Sequence, residues 1–247
     1  MGLVEDLLAA AVEAEVVDTS LGVNWTGVSV RLGGGERCGL ASTLWPTRRP
    51  GIHEAPPVVG ASARGLRRAR ELAERVPRGG LEASLGFAAL QATIPLHPER
   101  WTDENADRAL VPRSAGKRTV LMGRFGFASR LREQAASVEI LELDPQPGEL
   151  PAERAAEVLP LAELIVITGM ALVNRTLEDL LPLCPPQSDV ALVGPSVPMS
   201  DVFFDYGVDL VCGAFVEQPA RVMAGIRRGA DFHQLHRLGV RLVTMER

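Results

Sequence analysis

The sequence is short of the groups that usually advertise chemistry. Its 247 residues include three cysteines, four histidines and a single tyrosine. Cys38, Cys184 and Cys212 are odd in number and far apart, which excludes a disulfide framework and a zinc knuckle. Cys212 falls inside an apolar run, where a thiol behaves as a small hydrophobe. His233 and His236 are spaced to share one face of a helix, but no third ligand stands near them. His53, beside Glu54 in a proline-rich stretch, could fold over a site, and His97 stands apart. There is no G-x-S-x-G, no P-loop and no H-E-x-x-H, so no nucleophile comes with a recognisable base. Whether the chain is an enzyme is therefore left open. A net charge of −5 gives no basic surface for nucleic acid or an anionic membrane. No apolar run reaches the roughly 20 residues that span a bilayer. The first residues carry Glu5 and Asp6 where a secretion signal needs bases, so a cytoplasmic location is the expectation.

What is present is a repeated theme of buried strands. Leu164 to Ile167 is a continuous apolar, β-branched run, suited to a strand covered on both faces. It stops at Thr168-Gly169, a loop follows to Asn174, and Thr176 with Asp179 three residues on resembles the start of a helix. Val190 to Val193 repeats the pattern and stops at Gly194-Pro195-Ser196. Thr119 to Met122, Val138 to Leu143 and Val208 to Cys212 complete a β-α alternation, with Arg241 to Met245 as a late edge strand. That rhythm predicts an α/β half with a mostly parallel, doubly wound sheet.

The first half reads differently. Residues 3–17 form an amphipathic helix by periodicity. Val28 to Leu32, Gly33-Gly34-Gly35 and Cys38 to Ala41 make a hairpin, the glycines supplying the positive φ its turn requires. Residues 45–60, with Pro46, Pro50, Pro56 and Pro57, predict a long loop. Helices follow over 61–76, arginine-rich on its outer faces, and over 81–94, which carries a stripe of small residues. Between His97 and Lys117 the composition turns polar, which sets the expected division: an α+β domain over 1–105 and an α/β domain over 106–247.

Four strands of the second half run into glycine: Gly123, Gly169, Gly194 and Gly213. Glycine there turns the chain and lets a ligand approach the backbone, at the sheet edge where α/β folds bind ligands. The first strand leads into Gly123-x-x-Gly126, part of a dinucleotide fingerprint, with Glu142 and Asp144 placed as ribose-binding acids. Arg124 and Phe125 fill the place a pyrophosphate would need, so a nicotinamide dinucleotide is disfavoured while a nucleotide or adenosyl cofactor stays open.

The stretches Thr168 to Leu177, Gly194 to Met199 and Cys212 to Val216 resemble the "putative heavy-metal-chelation" family, as do Gly22 to Thr26, Gly39 to Ala41 and Leu85 to Leu90. The resemblance implies an enolase N-terminal-like α+β domain followed by a Rossmann-like domain. It also implies a site in the cleft between them and a divalent transition metal or metal chelate as the ligand. Where relatives carry asparagine after the small-residue stripe, this chain has Gln91. The residues expected at the site are Gly123, Arg124, Phe125, Glu142, Thr168, Gly169, Asn174, Gly194, Pro195 and Ser196, with Asn24 and Thr26 opposite. The first reading is a binding protein for a small molecule or metal. The alternative is an enzyme that uses a nucleotide or adenosyl cofactor to modify a small metabolite. No nucleic-acid or membrane partner is expected, and a homodimer is left open.

Overall fold

The computed structural model describes residues 2–45, 69–74, 76 and 80–247. The expected proline-rich loop, His53 and most of the expected helix over 61–76 lie outside the described residues.

A helix α1 (Leu3–Ala10) leads into a three-stranded antiparallel sheet of β1 (Glu15–Leu21), β2 (Trp25–Leu32) and β3 (Gly35–Ser42), in that order. The helix is shorter than its periodicity suggested, because Glu15–Leu21 pairs with β2 instead of extending it. Pairing across a sheet overrides a weak helical preference in so short a segment. The β2–β3 turn is the expected one, with Gly33 and Gly34 at φ 62° and 81°. The short helix α2 (Ala69–Ala73) and the long α3 (Gly80–Thr93) follow. α3 is buried on nearly all sides. Its small residues let it lie directly on β3: a Cβ on Gly39 would stand 2.0 Å from the Ala88 carbonyl oxygen.

The rest of the chain builds an eight-stranded sheet. Its strands are β4 (Trp101–Thr102), β5 (Arg118–Met122), β6 (Ser137–Glu142), β7 (Leu150–Pro151), β8 (Leu164–Thr168), β9 (Asp189–Val193), β10 (Leu210–Val216) and β11 (Val240–Glu246). They lie in the order β4-β11-β10-β9-β8-β5-β6-β7. The six from β10 to β7 are parallel; β11 runs antiparallel to β10, and β4 antiparallel to β11, so that β4 points the same way as the six. The late strand β11 is therefore not an edge: β4, two residues in a polar stretch without an apolar signal, closes that side. The connecting helices are α4 (Ala106–Arg113), α5 (Ala128–Arg132), α6 (Ala155–Val158), α7 (Met170–Val173), α8 (Leu177–Leu180), α9 (Val202–Asp205), α10 (Pro219–Arg227) and α11 (Phe232–Arg237).

Alternation within the buried strands shows what covers each face. Ile165 and Ile167 of β8, with Val190 and Leu192 of β9, join a core shared with Leu3, Leu7, Val28, Val30, Phe87 and Leu90 of the first half. Their neighbours Leu164, Val166, Ala191 and Val193 join a second core with Leu110 and Leu131 on the other face. The small sheet and α3 thus roof one face of the large one. A third cluster, with Leu40 of β3, Val222 and Ile226 of α10, and Leu235 of α11, ties the hairpin to the end of the chain. No helix among the described residues is long and apolar enough to cross a membrane.

The chain lays down β5, then moves outward through β6 and β7, and returns to place β8 on the other side of β5 before moving outward again. The connections leaving β5 and β8 therefore diverge. In doubly wound sheets a crevice opens at that point, beyond the carboxyl ends of the strands.

Candidate functional site

A cavity of about 580 Å³ occupies this crevice. Its size lies in the range of roughly 300–1,000 Å³ typical of small-molecule sites. Its floor is Met122 and Gly123 from the end of β5, Leu141 and Glu142 from β6, and Thr168 from β8. Met170, Ala171 and Asn174 of the α7 segment, with Thr176, Asp179, Leu180 and Leu183 around α8, form one wall. Leu143, Ala152, Glu153, Ala155 and Ala156 form the other. Most of this surface is carbon, and Leu143 stands at the mouth 72% exposed. A large apolar side chain held in water beside a cavity is a surface ready to cover an apolar ligand.

The polar groups are few and placed. Gly123 has φ 110°, a conformation L side chains rarely adopt, and its N–H donates to Leu141 O at 2.9 Å. A Cβ there would also press on Thr168 at 3.0 Å. Glu142 accepts the Leu143 N–H on Oε2 at 3.2 Å; its other oxygen has no partner among the described residues. Asn174 Oδ1 accepts from the Thr176 N–H at 3.2 Å and hydroxyl at 2.8 Å, so its NH₂ is the group left for the cavity. Thr176 does stand at the start of a helix, but its hydroxyl serves Asn174 rather than capping α8. Between them Arg175 takes a left-handed φ of 68°.

Arg124 lines the cavity but is already engaged. Its guanidinium donates to both oxygens of Glu149, at 2.8 and 2.6 Å, and to the Asp144 carbonyl at 2.6 Å. The Glu149 side chain is only 11% exposed. The Arg124 pairing, then the Gln146 N–H, draw its carboxyl down to about 2. Nothing in the residue order announces this clamp, which depends on the Pro145-Gln146-Pro147-Gly148 turn (Gly148 φ 91°) returning the chain beside β6.

The other expected residues are elsewhere. Phe125 packs on Phe127 beside the second core, centroids 5.3 Å apart. Asn24 donates to the Gly229 and Ala230 carbonyls at 2.8 and 3.2 Å, and Thr26 is fully buried against Thr43 at 3.0 Å. Gly169, Gly194, Pro195 and Ser196 belong to the seam between the two sheets. Gly169 N–H donates to Val193 O, and a Cβ on it would meet Val197 at 2.7 Å. Ser196 Oγ accepts the Ser42 N–H at 2.9 Å and lies 3.1 Å from the Ser42 hydroxyl. Gln91 stitches the same seam: its amide oxygen accepts from Leu40 N at 2.5 Å, and its NH₂ donates to Pro195 O at 2.8 Å and Val197 O at 3.0 Å. Gly123, Arg124, Glu142, Thr168 and Asn174 are thus brought together at the cavity. Leu143, Glu149, Glu153 and Asp179 join them or support them from outside the expected set.

The donors for a bare metal ion are poor. Among the described residues no group of three or more His, Cys, Asp or Glu is arranged to hold one. Burial pushes the Cys212 and Cys184 thiols up to about 11 and Cys38 higher still, which keeps them protonated at neutral pH. His236 Nδ1 is 2.7 Å from the Val240 carbonyl oxygen, and His97 lies beside Glu99.

Residues 106–245 match the sequence pattern of the DUF364 family, described as "Putative heavy-metal chelation", and residues 4–94 match DUF4213, which carries the same description. A solved structure from Desulfitobacterium hafniense, a DUF364 protein of unknown function, is 24% identical over 99% of this chain and 97% of its own, with a TM-score of 0.81. One from Pyrococcus horikoshii, also a DUF364 protein of unknown function, is 18% identical over 99% and 98%, again with a TM-score of 0.81. These likenesses show a shared fold. No curated protein matches the chain. The chain belongs to the DUF364 family.

Proposed function

We propose, with that membership as premise, that the chain is a binding protein whose site is the cavity beyond β5, β6 and β8, and that a metal reaches it inside an organic chelate. One observation carries the reading. A cavity large enough for a drug-sized molecule is walled mainly by carbon and carries isolated oxygen groups, while a thiolate or imidazole set is lacking among the described residues. Soft metals are held by thiolate and imidazole, hard ones by convergent oxygens. This wall offers neither, but it suits the apolar surface of a ligand that has already satisfied its metal.

The enzymatic reading has less behind it. Gly123 and Glu142 match part of a dinucleotide fingerprint, but the described residues of the cavity wall include no histidine, cysteine or lysine to pair with a nucleophile. Binding is the reading the geometry favours.

Calorimetric titration with nickel and zinc ions alone, and with their 1,10-phenanthroline complexes, tests it. The complexes are expected to bind at least tenfold more tightly than the ions, and Ala156→Trp, which puts a bulky side chain into the cavity wall, is expected to abolish their binding. Equal or tighter binding of the bare ions would overturn the proposal.

A further inference from the structure

We infer that the cavity accepts a nucleoside without phosphate groups, its ribose diol on Glu142 and its base against Leu143, Leu183 and Ala156. This rests on the cavity being the site and names the class of molecule it takes. Purine-type ring nitrogens are donors of the imidazole kind, so such a ligand brings metal-binding atoms that the walls lack.

Three features converge on it. The first is the place of Glu142. β5 and β6 are neighbours, with Met122 opposite Leu141, so Gly123 and Glu142 end the two strands side by side. Gly123 takes φ 110°, and the space a side chain there would fill lies against Thr168 of β8, on the other side of the strand from the carboxylate. In doubly wound folds an acid at the end of the strand beside the first one receives the ribose hydroxyls. Among the described residues, one Glu142 oxygen has no partner and is open for this role.

The second is the treatment of charge. A phosphate needs a free cation or a run of backbone N–H groups. Among the described residues Arg124 is the sole cation of the wall, and Glu149 and the Asp144 carbonyl occupy it. The helix after β5 starts only at Ala128 and runs five residues, too short to act as a phosphate cradle. The remaining charges among the described residues of the wall are the carboxylates Glu142, Glu153 and Asp179, which repel an anion.

The third is the apolar surface. A free sugar would bury hydroxyls against Leu143, Leu180, Leu183 and Ala156 with nothing to receive them. A flat base attached to the sugar covers the same carbon favourably.

The test is calorimetry of adenosine, guanosine, cytidine and uridine, with adenosine 5′-monophosphate and ribose beside them, on the wild-type chain, Glu142→Gln, Glu142→Asp and Glu149→Gln. At least one nucleoside is expected to bind the wild type tenfold or more tightly than ribose and than the monophosphate. Glu142→Gln is expected to weaken it tenfold or more, Glu142→Asp less. Glu149→Gln frees Arg124 and is expected to narrow the gap between nucleoside and monophosphate. Failure of all four nucleosides, or binding unchanged in both Glu142 variants, overturns the inference. If the phenanthroline complexes still bind and Ala156→Trp still blocks them, the cavity stands and only the nucleoside is wrong. If neither class binds, the cavity reading falls as well.

Discussion

Gln91 makes three hydrogen bonds from one amide, to Leu40 of β3 and to Pro195 and Val197 after β9. Its surroundings are closed, with 7% of the residue exposed. Gln91→Ala leaves a backbone N–H and two carbonyls in that seam without partners. At roughly 1–3 kcal/mol for each buried group left unsatisfied, partly relieved by water entry, the expected loss is about 3 kcal/mol, read from urea unfolding. A loss below about 1 kcal/mol would mean the seam does not depend on this amide. The resemblance drew attention to Gln91 as a departure from the asparagine of its relatives; the structure uses it to join the halves. The residues whose roles follow from backbone demands alone were easier to read. Gly33 and Gly34 were marked by the turn, and Gly123 by the end of a strand. Glu149 was invisible because its partner lies 25 residues away and meets it only after the chain folds back.

At the scale of elements, the buried strands were legible because a run such as Leu164 to Ile167 must be covered on both faces, and its alternate residues do enter two different cores. β1 and β4 were not: the first has a helix-like pattern, and the second is two residues held by pairing with β11. The return loop from Leu143 to Glu149 is the element most exposed to solution conditions. The folded Glu149 carboxyl, at about 2, lies below its ordinary value of 4.5. Its clamp on Arg124 therefore stabilises the loop fully above about pH 4.5 and loses that contribution as pH falls toward 2. The Gln146 N–H, which donates to Glu149 Oε2 at 2.8 Å, reports on it. Its NMR shift is expected to titrate with a midpoint near 2, and to lose that titration in Glu149→Gln. A midpoint near 4.5 would show that the clamp is not formed in solution.

Over the whole molecule, the described residues of the first half contribute nothing to the cavity wall and yet matter to it. Leu3, Leu7, Phe87 and Leu90 pack on the face of β8 and β9, fixing the sheet from which the cavity is cut. A doubly wound sheet with glycine at its strand ends was readable from the β-α rhythm, and that rhythm alone locates a crevice at the carboxyl ends. Which glycines border open space was not readable. Gly169 and Gly194 end their strands as Gly123 does, but of the three only Gly123 lines the cavity, while Gly169 is packed against Val197 in the seam. The scarcity of thiols and imidazoles, in the sequence and among the described residues, is what the proposed chelate reading rests on. Native mass spectrometry with elemental analysis, on protein purified without a chelator or a histidine tag, tests this most directly when the wild type is run beside Ala156→Trp. The expected result is an organic mass on the wild type, with any metal present in the same complex, and its loss from the variant. A metal bound as the bare ion, or an adduct retained in Ala156→Trp, would contradict the account.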